Sequence, residues 1–202
     1  MVYQRYEIGI EAVDRILGGG IPSGSVLTLI GEPGTGRMDL ALRFISKGFE
    51  INEPGLFVSF TSVPVTGYLK RLRGRAPFRA LLETDEPLFL STLELKGLDL
   101  VLGIIEEGAV GRLVLDRPEV LGMRNIQNWF KNLEDILIKA RTIGMGTMMI
   151  AGPDFRSLGD YTSEGLLEMA VDEDGRRSAN LRKWPFSEGG KVRESEVGEW
   201  VR

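Results

Sequence analysis

The sequence has no cysteine and no histidine in its 202 residues. Without cysteine there is no disulfide, no thiolate metal site and no cysteine nucleophile. Without histidine the commonest general base and metal ligand is gone, and any Ser-His triad with it. Acid–base chemistry is left to carboxylates, lysine, tyrosine or a metal-bound water. No apolar run reaches the ~18 residues that a membrane-spanning helix needs. The opening MVYQRYEIGIEAVDRIL carries acids and has no apolar signal-peptide core, so a cytoplasmic protein without membrane association is expected. A basic excess is also missing. The net charge of -4 is not the footprint of a dedicated nucleic-acid binder. The one basic run, LKRLRGRAPFR, holds Lys70, Arg71, Arg73, Arg75 and Arg79. It reads as a solvated helix face, with docking to a phosphate or an acidic partner as the alternative.

What is present is the make-up of an ordinary globular domain, 43% hydrophobic and 27% charged. There is no repeat, low-complexity segment or linker, so one domain over residues 1–202 is expected. Short apolar runs alternate with helical patterns, as in an α/β protein. Strands are expected at Gly24–Glu32, Gly55–Phe60, Pro87–Thr92, Arg112–Asp116 and Gly146–Gly152. Helices are expected at Arg37–Glu50, Val65–Gly74, Leu98–Ala109 and Asn125–Gly144. Asp174-Gly175 between two strand-like runs signals a hairpin. The stretch from Ser187 to Arg202 is charged and reads as loose, though Val197, Trp200 and Val201 are able to dock. Continuous apolar strands separated by helices imply a mainly parallel sheet covered on both faces, with ligands at the strands' carboxyl ends. Those ends are Gly31, Phe60-Thr61, Asp116 and Ala151-Gly152.

One of them opens into Gly31-Glu32-Pro33-Gly34-Thr35-Gly36-Arg37-Met38. A strand, a glycine-rich loop and a helix form the context of a phosphate-binding loop. The glycines let successive N–H groups turn toward an anion, and the helix start adds its positive dipole end. The segment GIEAVDRILGGGIPSGSVLTLIGEPGTGR resembles the opening of the KaiC-like domains, a branch of the RecA superfamily of P-loop ATPases. The resemblance is carried by Gly9-Ile10, Asp14, the turn Leu17-Gly18-Gly19-Gly20-Ile21-Pro22, Gly24-Ser25 and the loop. It implies a RecA-like P-loop NTPase fold with a C-terminal β-hairpin. It makes Asp116, at the end of LVLD, the counterpart of the Walker B acid. The candidate nucleotide-binding residues are then Gly31, Glu32, Pro33, Gly34, Thr35, Gly36, Arg37, Met38, Asp39 and Asp116, with ATP or ADP as the ligand.

Aligned with that family, several positions depart from its pattern. Arg37 replaces the Walker A lysine, and Met38 replaces the hydroxyl that ligates Mg2+; a thioether suits a hard cation poorly. Thr61 and Ser62 stand where the family has a catalytic glutamate. Arg117-Pro118 follows Asp116 in place of a serine. Ala151 and Gly152 offer no polar sensor. Lys183-Trp184-Pro185 keeps only the lysine of the Lys-x-Arg finger that reaches a neighbour's nucleotide. Loss of metal and water positioning removes most of the means of phosphoryl transfer. The expectation is therefore a degenerate Walker A motif with no catalytic residue, and a pseudo-ATPase that serves as a regulatory or structural subunit. Mg2+ is not expected. The partner would be a second copy or an active KaiC-like paralogue. Slow hydrolysis by an atypical ATP- or ADP-binding protein is the alternative, and recombinase-like DNA binding a lesser one. Asp116 reads as a family remnant, with metal binding as its alternative. Glu106-Glu107 and the acids Asp172, Glu173 and Asp174 read as solvated surface. Trp129 is expected in the core, and Trp184 and Trp200 at a subunit contact.

Overall fold

The computed structural model describes residues 4–62, 65–83, 88–91, 95–108, 110–124, 127–187 and 190–193. In chain order these form β1 (Arg5–Tyr6), α1 (Glu11–Ile16), β2 (Ile21–Pro22), β3 (Val26–Gly31), α2 (Arg37–Glu50) and β4 (Gly55–Ser59). Next come α3 (Val65–Leu72), α4 (Arg79–Glu83), β5 (Leu88–Ser91), α5 (Leu95–Glu106), β6 (Arg112–Asp116) and α6 (Glu119–Met123). The chain ends with α7 (Trp129–Thr142), β7 (Gly146–Ala151), α8 (Arg156–Thr162), β8 (Gly165–Val171), β9 (Arg177–Lys183) and β10 (Gly190–Arg193).

Among the described residues, eight strands make one sheet in the order β10-β9-β8-β3-β7-β6-β4-β5. The five pairings from β8 to β5 are parallel, while β9 and β10 run antiparallel at one edge. This is the mixed, mostly parallel α/β sheet that the alternation of elements predicts. Every residue of β3, β4, β6 and β7 is buried. Alternate side chains point to opposite faces, so each strand feeds two cores. Leu27, Leu29, Phe57, Val114, Met148 and Ile150 pack with Leu40, Ala41, Phe44 and Ile45 of α2. Val26, Leu56, Val58, Leu113, Leu115 and Met149 pack instead with Leu98, Val101 and Ile105 of α5 and Leu133, Ile136 and Leu137 of α7.

Three expectations need correction. Trp184 is not a surface tryptophan: it is buried in the first core, and its indole N–H donates to Leu17 O at 3.0 Å. Residues 190–193, within the stretch read as loose, pair with β9. The long helix starts at Trp129, because Asn128 takes a left-handed φ of 60°. Trp129 is half-buried against the second core. Val197, Trp200 and Val201 lie outside the described residues.

The N-terminal motif has a structural explanation. Asp14 accepts hydrogen bonds from the N–H groups of Ile8 (2.7 Å) and Gly9 (3.0 Å), which closes the chain over α1. The glycines after Leu17 adopt positive φ and bring the chain back to pair β2 with β1. Lys70, Arg71, Arg73 and Arg79 are exposed, and Arg79 pairs with Glu83 at 2.8 Å.

Candidate functional site

The loop begins where β3 runs out. A Cβ on Gly31 would lie 2.3 Å from Met169 O of the neighbouring β8, so no side chain fits there. Thr35 is buried, and its hydroxyl donates to Glu32 O at 2.9 Å, which closes the turn. Gly36 then caps α2 with a φ of 93° and, having no side chain, gives the helix end no side-chain cap. Glu32, Pro33 and Gly34 are exposed. The start of α2 thus presents backbone N–H donors of the kind that an anion site uses.

The side chains that follow point elsewhere. Arg37 is buried, and its Nη1 donates to the carbonyl of Ala151 at the end of β7. Burial pulls its guanidinium below the ordinary arginine value, and the like charge of Arg117 adds to this; Asp116, Glu119 and Glu32 oppose it. Met38 is half-buried and packs against the core beneath α2. Asp39 faces the hairpin of β8 and β9, with its carboxylate 3.7 Å from Arg177 Nη1. Burial raises the Asp39 pKa, against the pull of Arg177 and Arg75. The Arg177 side chain also lies against Gly36, within 3.3–3.5 Å of where a Cβ would sit.

The ends of β3, β7, β6 and β4 are neighbours in the sheet, so Asp116 lies close to the loop. Asp116 is buried and accepts a hydrogen bond from Ser59 Oγ at 2.9 Å; Ser59 in turn shares one with Thr61 Oγ1 at 3.0 Å. Burial pushes the Asp116 carboxyl up to about 6; the Ser59 hydrogen bond opposes it, Glu119 adds to it, and Arg117 and Arg37 pull against it. Glu119, at the start of α6, is fully buried. Its Oε1 accepts from Arg117 Nε at 3.1 Å and from the N–H of Gly152 at 3.0 Å. Its Oε2 has no hydrogen-bond partner among the described residues.

Two carboxylates, Asp116 and Glu119, therefore share the site with two guanidinium groups, Arg37 and Arg117. That set does not fit Mg2+, which needs oxygen ligands and would be repelled by the arginines. Among the described residues no group of three or more His, Cys, Asp or Glu is placed to hold a metal. Thr61, in the position of the family's catalytic glutamate, hydrogen-bonds Ser59 and has no carboxylate to offer.

Glu119, Arg177 and Ser59 were not among the residues that the sequence singled out. In the sequence Glu119 is one acid after the Arg117-Pro118 pair with no pattern around it, and Arg177 is one of several charges after a hairpin turn. Lys183 lies at the other end of β9, beside Leu166. Its Nζ donates to Asp160 O (2.8 Å) and Ser163 O (2.6 Å) and lines a cleft of about 580 Å3 with Arg141, Tyr161 and Glu164. Asp172, Glu173 and Asp174 are exposed in the hairpin turn, and Glu106 pairs with Lys139 at 3.1 Å.

Residues 6–75 match a family model described as ATPase: KaiC. A UPF0273 protein of Methanopyrus kandleri is 42% identical over 65 residues, 32% of this chain and 26% of that protein. The circadian clock oscillator protein KaiC of Prochlorococcus marinus is 40% identical over 65 residues, 32% of this chain and 13% of that protein. The similarity spans about a quarter of the UPF0273 relatives' own length. A crystal structure of a KaiC-like protein from Pyrococcus horikoshii superposes with a TM-score of 0.79 over 95% of this chain and 94% of that one, at 21% identity. The fold is that of the KaiC-like RecA domains, and the sequence similarity to KaiC ATPases is concentrated in the N-terminal third that ends beyond the phosphate loop.

Proposed function

We propose that this chain, a KaiC-like RecA fold, is a pseudo-ATPase: a regulatory or structural subunit that holds the phosphates of ADP or ATP without Mg2+ and hydrolyses little or nothing. The observation that carries this reading is the pose of Arg37. The residue in the lysine position gives its hydrogen bond to Ala151 O and its charge to Asp116 and Glu119, at the place where an active site would put a metal between carboxylate and phosphate. A guanidinium compensates the acids, so no divalent cation is called for. The phosphates would be held by the N–H groups from Gly34 to Met38, with Arg177 beside them. Thr61 cannot orient a water as a carboxylate does.

Similarity to the KaiC family supports nucleotide as the ligand. No helix among the described residues is long and apolar enough to cross a membrane; a cytoplasmic location is part of the proposal. Its partner would be another copy of itself or an active KaiC-like paralogue, as the likeness to KaiC supports. Nucleic acid is not the ligand we infer, given the net charge of -4. Phosphate release from ATP with Mg2+ present tests the reading. Release at the rate of a protein-free control is expected. Sustained turnover that Arg37→Ala abolishes would overturn it.

A further inference from the structure

The carbonyl that receives Arg37 and the N–H that binds Glu119 belong to one peptide group, that between Ala151 and Gly152. Its oxygen faces the Arg37 guanidinium and its N–H lies 3.0 Å from Glu119 Oε1. The same carboxylate oxygen is held at 3.1 Å by Arg117 Nε. A cation, a peptide dipole, an anion and a second cation thus stand in series. The positive charge sits at the negative end of the dipole and the negative charge at its positive end. Each polarises the peptide in the sense that strengthens the other's hydrogen bond, and such chains weaken together when one member is lost. Glu119 is fully buried, and its Oε2, without a hydrogen-bond partner among the described residues, adds negative field at Arg37. Arg117 takes a φ of 59° to reach back to it, a conformation a non-glycine residue adopts only when its surroundings hold it there.

We propose that Glu119 is a positioning residue of the phosphate loop: through the Ala151–Gly152 peptide group it holds Arg37 in the withdrawn pose, and so sets how readily the loop takes a phosphate anion. To donate to a phosphate, the Arg37 N–H now on Ala151 O must let go. Glu119 is what makes that carbonyl a strong acceptor. The site has lost its side-chain sensor at the end of β7, and the peptide group takes that place: occupation of the loop is felt at Glu119 and Arg117 through Arg37. This rests on the loop being a phosphate site.

The test uses the full chain and ADP without Mg2+. Titration calorimetry is run on the wild type, Glu119→Gln, Arg37→Gln and the double variant. Glu119→Gln should bind ADP more tightly, on the order of tenfold, and the gain should vanish in the Arg37→Gln background, as expected for coupled neighbours. A gain of the same size in both backgrounds would mean a through-space charge effect and would overturn the proposal, as would no gain. A second readout needs no ligand. The Gly152 amide proton should move upfield in Arg37→Gln, although that substitution touches only the far side of the peptide group. An unmoved Gly152 resonance would overturn the bridge even if ADP binds. If no variant binds ADP but the resonance moves, the bridge stands and the phosphate-site reading is what has failed.

Discussion

At the residue scale the site is governed by what burial does to charge. Asp116 is almost wholly covered, and its carboxyl is pushed from an ordinary 3.8 up to about 6, first by desolvation. Such a group takes up a proton more readily folded than unfolded. Its contribution to stability is therefore full below the unfolded value of 3.8 and is lost as pH rises through about 6. Asp116→Asn keeps an acceptor for Ser59 but cannot ionise. Urea unfolding at about pH 7 and about pH 5 should show the wild type gaining on the Asn variant at the lower pH by on the order of 1 kcal/mol. Equal differences at both values would mean that Asp116 does not titrate in this window. Met38 and Arg37 are as much packing residues as site residues. One faces the core, the other reaches the end of a strand, and neither pose can be read from the letters GRM alone.

At the scale of elements, the strand–loop–helix unit was legible because its signals are local. The buried run of β3, the glycines and the stripe of Leu40, Ala41, Phe44 and Ile45 each report on their own neighbourhood. The hairpin was legible for the same reason: the Asp172 N–H donates to Arg176 O and the Gly175 N–H to Asp172 O, both at 2.9 Å, with Gly175 at a φ of 78°. What could not be read are the two-residue strands β1 and β2 and the short helices α1, α4, α6 and α8, which are too short for a clear periodicity. Glu119 escaped because its meaning lies in a contact with Gly152, far off in sequence. Trp184 was misplaced for a similar reason. Its sequence neighbours are charged or proline, yet Gly165 leaves room on β8 for its ring, which a Cβ there would meet at 2.1 Å. Trp184 ties β9 to the N-terminal segment through Leu17 O. Trp184→Ala should destabilise by about 3 kcal/mol or more in denaturant unfolding. A loss below about 1 kcal/mol would show that the edge of the sheet does not depend on it.

At the scale of the whole molecule, the strand order brings four carboxyl ends side by side, so Gly31, Ala151, Asp116 and Ser59 meet without any being near another in sequence. The same order sets β8 beside β3 and β9 beyond it, which brings Arg177 against Asp39 and Gly36 at the start of α2. In the proposed reading the loop backbone binds the anion, while the charged side chains around it are engaged with one another and with the backbone. The central claim is that the loop takes nucleotide without metal. Calorimetric titration of the full chain with ADP and with ATP, each with and without Mg2+, tests it most directly. The prediction is binding of similar strength in the presence and absence of Mg2+, and binding tightened by Mg2+ only in the Arg37→Lys, Met38→Thr variant. Wild-type binding that Mg2+ strengthens, or no binding under either condition, would contradict it.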